Sequence, residues 1–480
     1  MNVDEFRKHG HQIIDQIADY YENIESERIL PETAPRDIFN SLESSPPQKG
    51  ENFDDILRDF NNKIMPGLTH WQHPKFFAYF PSNTSFESLL GEFLTAALGP
   101  VTFSWQTSPA AAELEELTMN WLREILGLPD NFHGVIQDTA STATLVSLLT
   151  AREKYSNYAI NNVGSAYSPN YRVYASSEVH SSIDKAVKIA GIGLRNLVKI
   201  NTDSNFAMSA ADLEAAIKKD LMSGKTPLAI IAAIGTTGST AVDPLEEIAE
   251  IAYKYGIWLH VDAAYAGSAL VLPEYRYLIK GIDKVDTFVM NPHKWLFTNF
   301  DCTAYFVKDK NALIKTFSMM PEYLKTAYDD KVNNYKDWGI QLGRRFRALK
   351  LWFVLRSFGV EGLQEKIRFH IELGKKFEEF VGSDNDLEIL APRYFNLVCF
   401  RLKSGQFPAS ELNNVNESFL KMINSTGSLF MTHTKLDGKY VLRFVIGKTY
   451  VTENNLHEAW QVIQEQKDLF LANPEMYCEM

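Results

Sequence analysis

"LAIIAAIGTTGSTAVDPLEEIAEIAYKYGIWLHVD", Leu228 to Asp262, decides the architecture. Its opening apolar run, 228–234, reads as a strand buried on both faces, and "IWLHV" (257–261) reads as a second. Between them Asp243 as N-cap, Pro244 at the first helical position and Gly256 as a stop frame a helix. Strand, helix and strand in so short a span form a βαβ unit, which implies a parallel sheet. Further strands at "GVIQ" (134–137), "RVYAS" (172–176) and "TFVM" (287–290) extend the pattern, so 86–355 is expected to be a large α/β domain with a mostly parallel central sheet flanked by helices.

The flanks differ in texture. Phe6, Ile13, Ile14, Ile17, Tyr20, Tyr21 and Ile24 recur at helical spacing with charge between them, an amphipathic helix that needs a partner surface. With the Pro-, Ser- and Glu-rich connector that follows, 1–85 reads as a helical segment. At the other end, "FNLVCFRL", a hairpin turning at Asp437-Gly438 and a last helix describe a small α+β domain over 356–480.

Composition narrows the chemistry. A net charge of -12 over 480 residues, without a basic stripe, opposes nucleic-acid binding. No apolar run approaches the roughly 18 residues of a membrane span, and the charged start "MNVDEFRKHG" lacks a signal or transit pattern. A cytoplasmic location is the expectation. Cys302, Cys399 and Cys478 offer neither a disulfide framework nor a thiolate metal cluster. No metal site is expected: "HGH" and "HWQH" lack a carboxylate motif, and the two "GKT" triplets lack the first glycine of a phosphate loop.

Ligand sites in such sheets gather beyond the carboxyl ends of the strands. After "GVIQ" come Thr139, Ala140 and Ser141 at a helix start, which suits either an anion or plain N-capping. His180 follows "RVYAS", Thr236 and Thr237 follow the 228–234 run, and Asp262 ends the next strand. Asp262 alone fits a structural or a functional partner, since a buried carboxylate needs a cation or a donor. "TFVM" then leads into Asn291-Pro292-His293-Lys294. A lone lysine there also fits a snorkelling surface residue, yet a desolvated lysine is what a Schiff base requires. Phosphate-ready helix start, histidine, carboxylate and lysine on one sheet edge together match the needs of pyridoxal phosphate.

"HVDAAYAGS" (260–268) followed by "NPHKW" (291–295) resembles the group II pyridoxal-phosphate decarboxylases, specifically the aromatic L-amino acid decarboxylases. The likeness extends through "HPKFFAYFPS" (73–82), "FSWQTSPAAAELE" (103–115), "LGRRFRALKLWFV" (342–354) and "LVCFRL" (397–402). It implies fold type I and a homodimer with the active site at the subunit interface and the N-terminal helices packed on the partner. Lys294 would hold the cofactor as an aldimine, Asp262 would pair with the pyridine nitrogen, and His180 would stack on the ring and help position the substrate carboxylate. Thr139, Ala140, Ser141 and Asn291 would line the phosphate site, with Thr237, Ala264 and His293 in support. Tyr323 in "MPEYLK" matches a loop tyrosine implicated in protonating the α-carbon, where aldehyde synthases of the family carry phenylalanine.

The same resemblance places Trp71, Tyr79, Phe80, Pro81, Val101 and Phe103 around the aromatic side chain of the substrate. Gly343 matches a position where plant members with glycine resemble tryptophan decarboxylases and those with serine resemble tyrosine decarboxylases. Tryptophan or 5-hydroxytryptophan is therefore the favoured substrate, with tyrosine, DOPA or phenylalanine decarboxylation and aldehyde synthesis as alternatives. A catalytically silent binding protein is the reading from a different class. Two residues depart from the pattern: Asp138 stands where many relatives have glycine, and Thr142 where they often have glutamate.

Overall fold

The computed structural model describes residues 1–165, 169–319, 331–403 and 405–473. A seven-stranded sheet, in the order β1-β7-β6-β5-β4-β2-β3, forms the centre. Its strands are β1 (His133–Gln137), β2 (Tyr171–Ser176), β3 (Leu197–Ile200), β4 (Thr226–Ala233), β5 (Trp258–Asp262), β6 (Thr287–Met290) and β7 (Thr303–Val307). Adjacent strands are parallel from β3 through β6, and β7 runs antiparallel between β6 and β1. The α/β reading therefore holds, with five strands anticipated and two added. The edge strand β3 is short and carries the exposed Lys199, and β7 gives no periodic signal because all five of its residues are buried.

The decisive βαβ unit is present, with one correction. Its helix is Leu245–Tyr255, closed by Gly256 at φ 65°, but its N-cap is Pro244 and not Asp243. The Asp243 carboxylate instead accepts the N–H of Met208 and of Ala233, both at 2.7 Å. It ties the connection back onto β4, so a residue type favoured at helix starts is spent on two backbone donors with no helical acceptor. Burial pushes its carboxyl up to about 6.

A four-stranded antiparallel sheet, β10-β11-β9-β8, carries the C-terminal unit. Its strands are β8 (Leu387–Ile389), β9 (Leu397–Leu402), β10 (Thr432–Leu436) and β11 (Lys439–Val445). Asp437 at φ 48° and Gly438 at φ 76° give the hairpin the two left-handed residues of a type I′ turn, as the sequence predicts. The long Arg347–Ser383 helix joins this unit to the central sheet, and its helical path breaks at Gly359. At the N-terminus, Val3–Asn23 is one helix opened by an Asn2/Glu5 capping box. Its apolar stripe stays uncovered at Phe6, Ile13 and Ile14, as do Phe86, Leu90 and Leu98 on the neighbouring Phe86–Leu98 helix. No helix among the described residues is long and apolar enough to cross a membrane.

Six histidines are buried, and four of them are strongly shifted: His260, which lies between Thr144 and Thr287, His370, whose Nδ1 accepts from Trp295, and His73 and His293. Burial lowers His260 and His73 to about 4 and His293 and His370 to about 3, from an ordinary 6.5. Below pH 6.5 the unfolded chain takes up protons that the folded imidazoles refuse, so their contribution is full above pH 6.5 and is lost as pH falls toward 4. Asp243 and Asp286, raised to about 6, act in the opposite sense. His260→Gln should reduce the slope of stability against pH between about 6 and about 4.5 by ~1.4 kcal/mol per pH unit, one proton's worth. Denaturant unfolding at several pH values measures it, and an unchanged slope would refute the buried neutral state.

Candidate active site

Because β4, β5 and β6 are parallel and adjacent, their carboxyl ends place Thr236 and Thr237, Asp262, and the Asn291–Lys294 turn at one edge of the sheet. The antiparallel β7 brings its start, Thr303, to the same edge. A cavity of about 250 Å³ opens there. Thr139, Ala140, Ser141, His180, Thr237, Asp262, Ala264, Asn291, His293, Lys294 and Phe80 all lie on its wall. The residues singled out for cofactor contact in the sequence thus come together in three dimensions.

Each is held for a local reason. Thr139 caps the Ala140–Tyr155 helix through its Oγ1, which accepts the N–H of Thr142 at 3.4 Å. That leaves the N–H groups of Ala140 and Ser141 at the positive end of the helix without helical acceptors, a cradle for an anion. Asp138 stays off the cavity wall, with one carboxylate oxygen accepting from Thr139 N–H at 2.6 Å and the other from Gln341 at 3.1 Å. Thr303 donates its hydroxyl to Asn291 Oδ1 at 2.9 Å, which leaves the Asn291 amide as a donor.

Asp262 accepts the N–H of Ala264 through Oδ1 at 3.0 Å, and Oδ2 has no hydrogen-bond partner among the described residues. His180 accepts the N–H of Ser182 on Nδ1 at 3.1 Å, so its proton sits on Nε2. Burial, reinforced by the charge of Lys294 and opposed by Asp262, keeps that imidazole below its ordinary range. Lys294 is desolvated, which lowers its ammonium, while Asp262 pulls the other way. Its Nζ lies 5.6 Å from the centre of the Phe80 ring. Nearby, His293 accepts the Cys302 N–H on Nδ1 at 3.0 Å and meets Phe300 edge-on at 4.8 Å.

Several groups escaped the sequence reading. Asn83, fully buried, donates its amide to the Lys294 carbonyl at 2.6 Å and the Gly447 carbonyl at 2.5 Å, and accepts from Thr449 N–H at 3.1 Å. It clamps the lysine turn to the C-terminal unit. Tyr265 stacks between Phe80 at 3.9 Å and Trp295 at 5.0 Å. Gly235, at φ 87°, has no room for a side chain, since a Cβ would come within 2.6 Å of Ala266. Only Gly235 carried a usable signal, the "GTT" directly after a strand.

The expected substrate pocket divides. Phe80 lies on the cavity wall, Pro81 packs against Gly447, and Trp71 and Tyr79 stack on each other at 5.7 Å. Val101, Phe103 and Gly343 are absent from that wall and gather elsewhere, joined by the Val101–Arg345 bridge and by Thr102 N–H to the Arg344 carbonyl at 3.0 Å. The buried Arg344–Glu115 pair supports that second group. Tyr323 lies outside the described residues. Among the described residues no cluster of His, Cys, Asp or Glu could hold a metal ion.

An anion cradle, a carboxylate with a free oxygen and a desolvated lysine in one cavity fit pyridoxal phosphate and define a pyridoxal-phosphate enzyme. Residues 35–403 match the pyridoxal-dependent decarboxylase conserved domain, and the chain belongs to that family. It is 47% identical to phenylacetaldehyde synthase of Arabidopsis thaliana, covering 98% of this chain and 97% of that protein. Tyrosine decarboxylase 2 of Narcissus pseudonarcissus is 45% identical, covering 99% and 96%. The crystal structure of Catharanthus roseus tryptophan decarboxylase in complex with L-tryptophan superposes with a TM-score of 0.92 at 41% identity, over 98% of this chain and 99% of that one. The chain is thus a carboxy-lyase of the aromatic amino acid decarboxylase and aldehyde synthase group.

Lys294→Ala should lose the visible absorbance of the loaded protein, whereas Asp262→Asn should retain it while kcat falls by about 100-fold or more. Absorption spectra and initial rates measure both. A visible band that survives in Lys294→Ala would contradict the assignment.

Proposed function

We propose that this chain decarboxylates an aromatic L-amino acid to the corresponding arylalkylamine and CO2, with pyridoxal phosphate held on Lys294. The observation that carries this reading is the shared cavity of Lys294, Asp262 and the Ala140–Ser141 helix start. Bound pyridoxal phosphate supplies an electron sink for the pair left behind when CO2 departs. The protein's own groups do the rest. N–H groups of Ala140 and Ser141 and the Asn291 amide hold the phosphate, and Asp262 keeps a proton on the ring nitrogen. His180, neutral with its proton on Nε2, packs on the ring and donates to the substrate carboxylate. Lys294, whose ammonium is lowered by desolvation, would provide the amine that holds the cofactor aldehyde. Tyr323 is assigned the final proton transfer to the α-carbon.

The working unit in this reading is a homodimer in the cytoplasm. Val101, Phe103 and Gly343 lie away from the chain's own cavity, and the apolar stripe of Val3–Asn23 and Phe86–Leu98 is uncovered, which supports a second copy that supplies the first set and buries the second. Indole substrates are favoured because Gly343, at the position the family resemblance links to substrate choice, has no side chain to compete with the larger ring system. Gly343→Ser should lower kcat/KM for tryptophan relative to tyrosine by about three- to tenfold, in line with the discrimination that small changes in pocket volume allow.

One observation favours a second reading. A phenylacetaldehyde synthase matches 98% of this chain at 47% identity, so oxidative release of aldehyde is the alternative outcome. Tryptophan, 5-hydroxytryptophan, tyrosine, DOPA and phenylalanine, each assayed for amine, aldehyde, ammonia and peroxide, separate the two. Amine without peroxide is expected, and Tyr323→Phe should divert product toward aldehyde; aldehyde with stoichiometric peroxide from the unmodified enzyme would overturn the decarboxylase reading.

A further inference from the structure

Lys448 follows β11 and is 1% exposed. Its Nζ donates to the Ser82 carbonyl at 2.8 Å and to Gln72 Oε1 at 3.3 Å, and stands 5.9 Å from the centre of the Phe76 ring. Among the described residues no carboxylate lies within ion-pair distance of it, so the ammonium is buried on neutral oxygens and an aromatic face. Burying a charge in that way is costly unless its contacts are needed.

Those contacts have a pattern. Gln72 and Ser82 bracket the 72–82 segment, which with Trp71 carries the aromatic wall: Trp71 packs on Phe76 at 4.5 Å and stacks on Tyr79, and Phe80 lies in the cavity near Lys294. The segment has no strand or helix of its own, and its backbone is held at the middle, where Phe77 N–H donates to the Phe430 carbonyl at 2.9 Å and Val445 N–H to the Phe77 carbonyl at 3.0 Å, which leaves its ends to side-chain contacts. The two residues flanking Lys448 serve the same junction, with Gly447 and Thr449 both bonded to Asn83. Gly447 lies so close that a Cβ there would come within 2.9 Å of the Tyr265 hydroxyl and 3.1 Å of Pro81.

We propose that Lys448 is a positioning residue for substrate binding: in its charged form it pins both ends of the 72–82 segment and sets the aromatic wall before Lys294, and in its neutral form it relaxes that wall. The consequence for substrate rests on the reading that an aromatic amino acid packs against this wall. Charge-assisted hydrogen bonds are roughly twice as strong as neutral ones, and the attraction to the Phe76 face exists only for the cation. Neutral Lys448 keeps its N–H groups, so the wall loosens without unfolding.

The device works near neutrality. Burial alone brings the Lys448 ammonium down to about 7. Several other titratable groups surround it. His370 on the Arg347–Ser383 helix and His73 in the loop are neutral down to about 3 and about 4. Tyr450 is raised to about 12, and Lys75 is paired with Glu458 at 2.8 Å. Lys366, also lowered by burial, donates to the Thr449 carbonyl at 3.0 Å.

The test compares the holoenzyme with Lys448→Arg, which stays charged, and Lys448→Met, which never is. In the unmodified enzyme KM for the best aromatic amino acid should rise about three- to tenfold from about pH 6 to about pH 8.5, with kcat not following that midpoint. Lys448→Arg should hold the low KM across the range, and Lys448→Met should show the high KM throughout. A readout without substrate is the emission of Trp71, taken as the difference from Trp71→Phe: it should titrate near pH 7 in the parent and in neither Lys448 variant. Superimposable KM and emission profiles for the parent and Lys448→Arg would overturn the proposal. An enzyme inactive on every aromatic amino acid whose Trp71 signal still titrates, and does so only with Lys448 present, would support the latch while sinking the substrate reading.

Discussion

The site depends on one electrostatic arrangement: a desolvated lysine and a carboxylate with a free oxygen, both on the wall of one cavity, neither of which a protein interior tolerates without use. Burial drives the Lys294 ammonium down and Asp262 draws it up, so the amine is poised by their balance. The parallel, adjacent order of β4, β5 and β6 makes the arrangement possible, because parallel neighbours deliver their carboxyl ends to the same edge of the sheet. Asn83 then fixes the lysine turn from outside the sheet, through bonds to residues more than two hundred positions away in the chain.

Long-range clamps of that kind explain where the sequence was silent. Runs such as Leu228–Ile234, and the Gly256 stop after an amphipathic stretch, report local preferences, and they predict β4, its helix and β5 without any partner in view. Asp243 reads as a cap for the same local reason, and the reading fails because two distant backbone N–H groups compete for its carboxylate. Asn83, Tyr265 and Lys448 give no signal at all, since each has meaning only through what packs on it. The Asp437-Gly438 hairpin is the opposite case, where two positive φ angles are demanded by the turn itself.

The aromatic wall proposed to meet the substrate is built differently from the strand-end cavity. The cofactor residues hang from strand ends and a helix start, which are rigid. The aromatic wall at Trp71, Tyr79 and Phe80 lies on a segment without regular structure, held by Gln72, Ser82, Asn83 and their C-terminal partners. Relatives that match nearly all of this chain include a phenylacetaldehyde synthase and a tyrosine decarboxylase, and a tryptophan decarboxylase superposes over a similar span.

The central claim is that Lys294 is the residue that holds the cofactor. Borohydride reduction of the loaded enzyme, followed by digestion and mass spectrometry, fixes the cofactor to whichever lysine carries it. The account predicts a single labelled peptide, the one containing "NPHKW" with the added mass on Lys294. Label on another lysine, or an unlabelled Lys294 in a fully loaded enzyme, would contradict it.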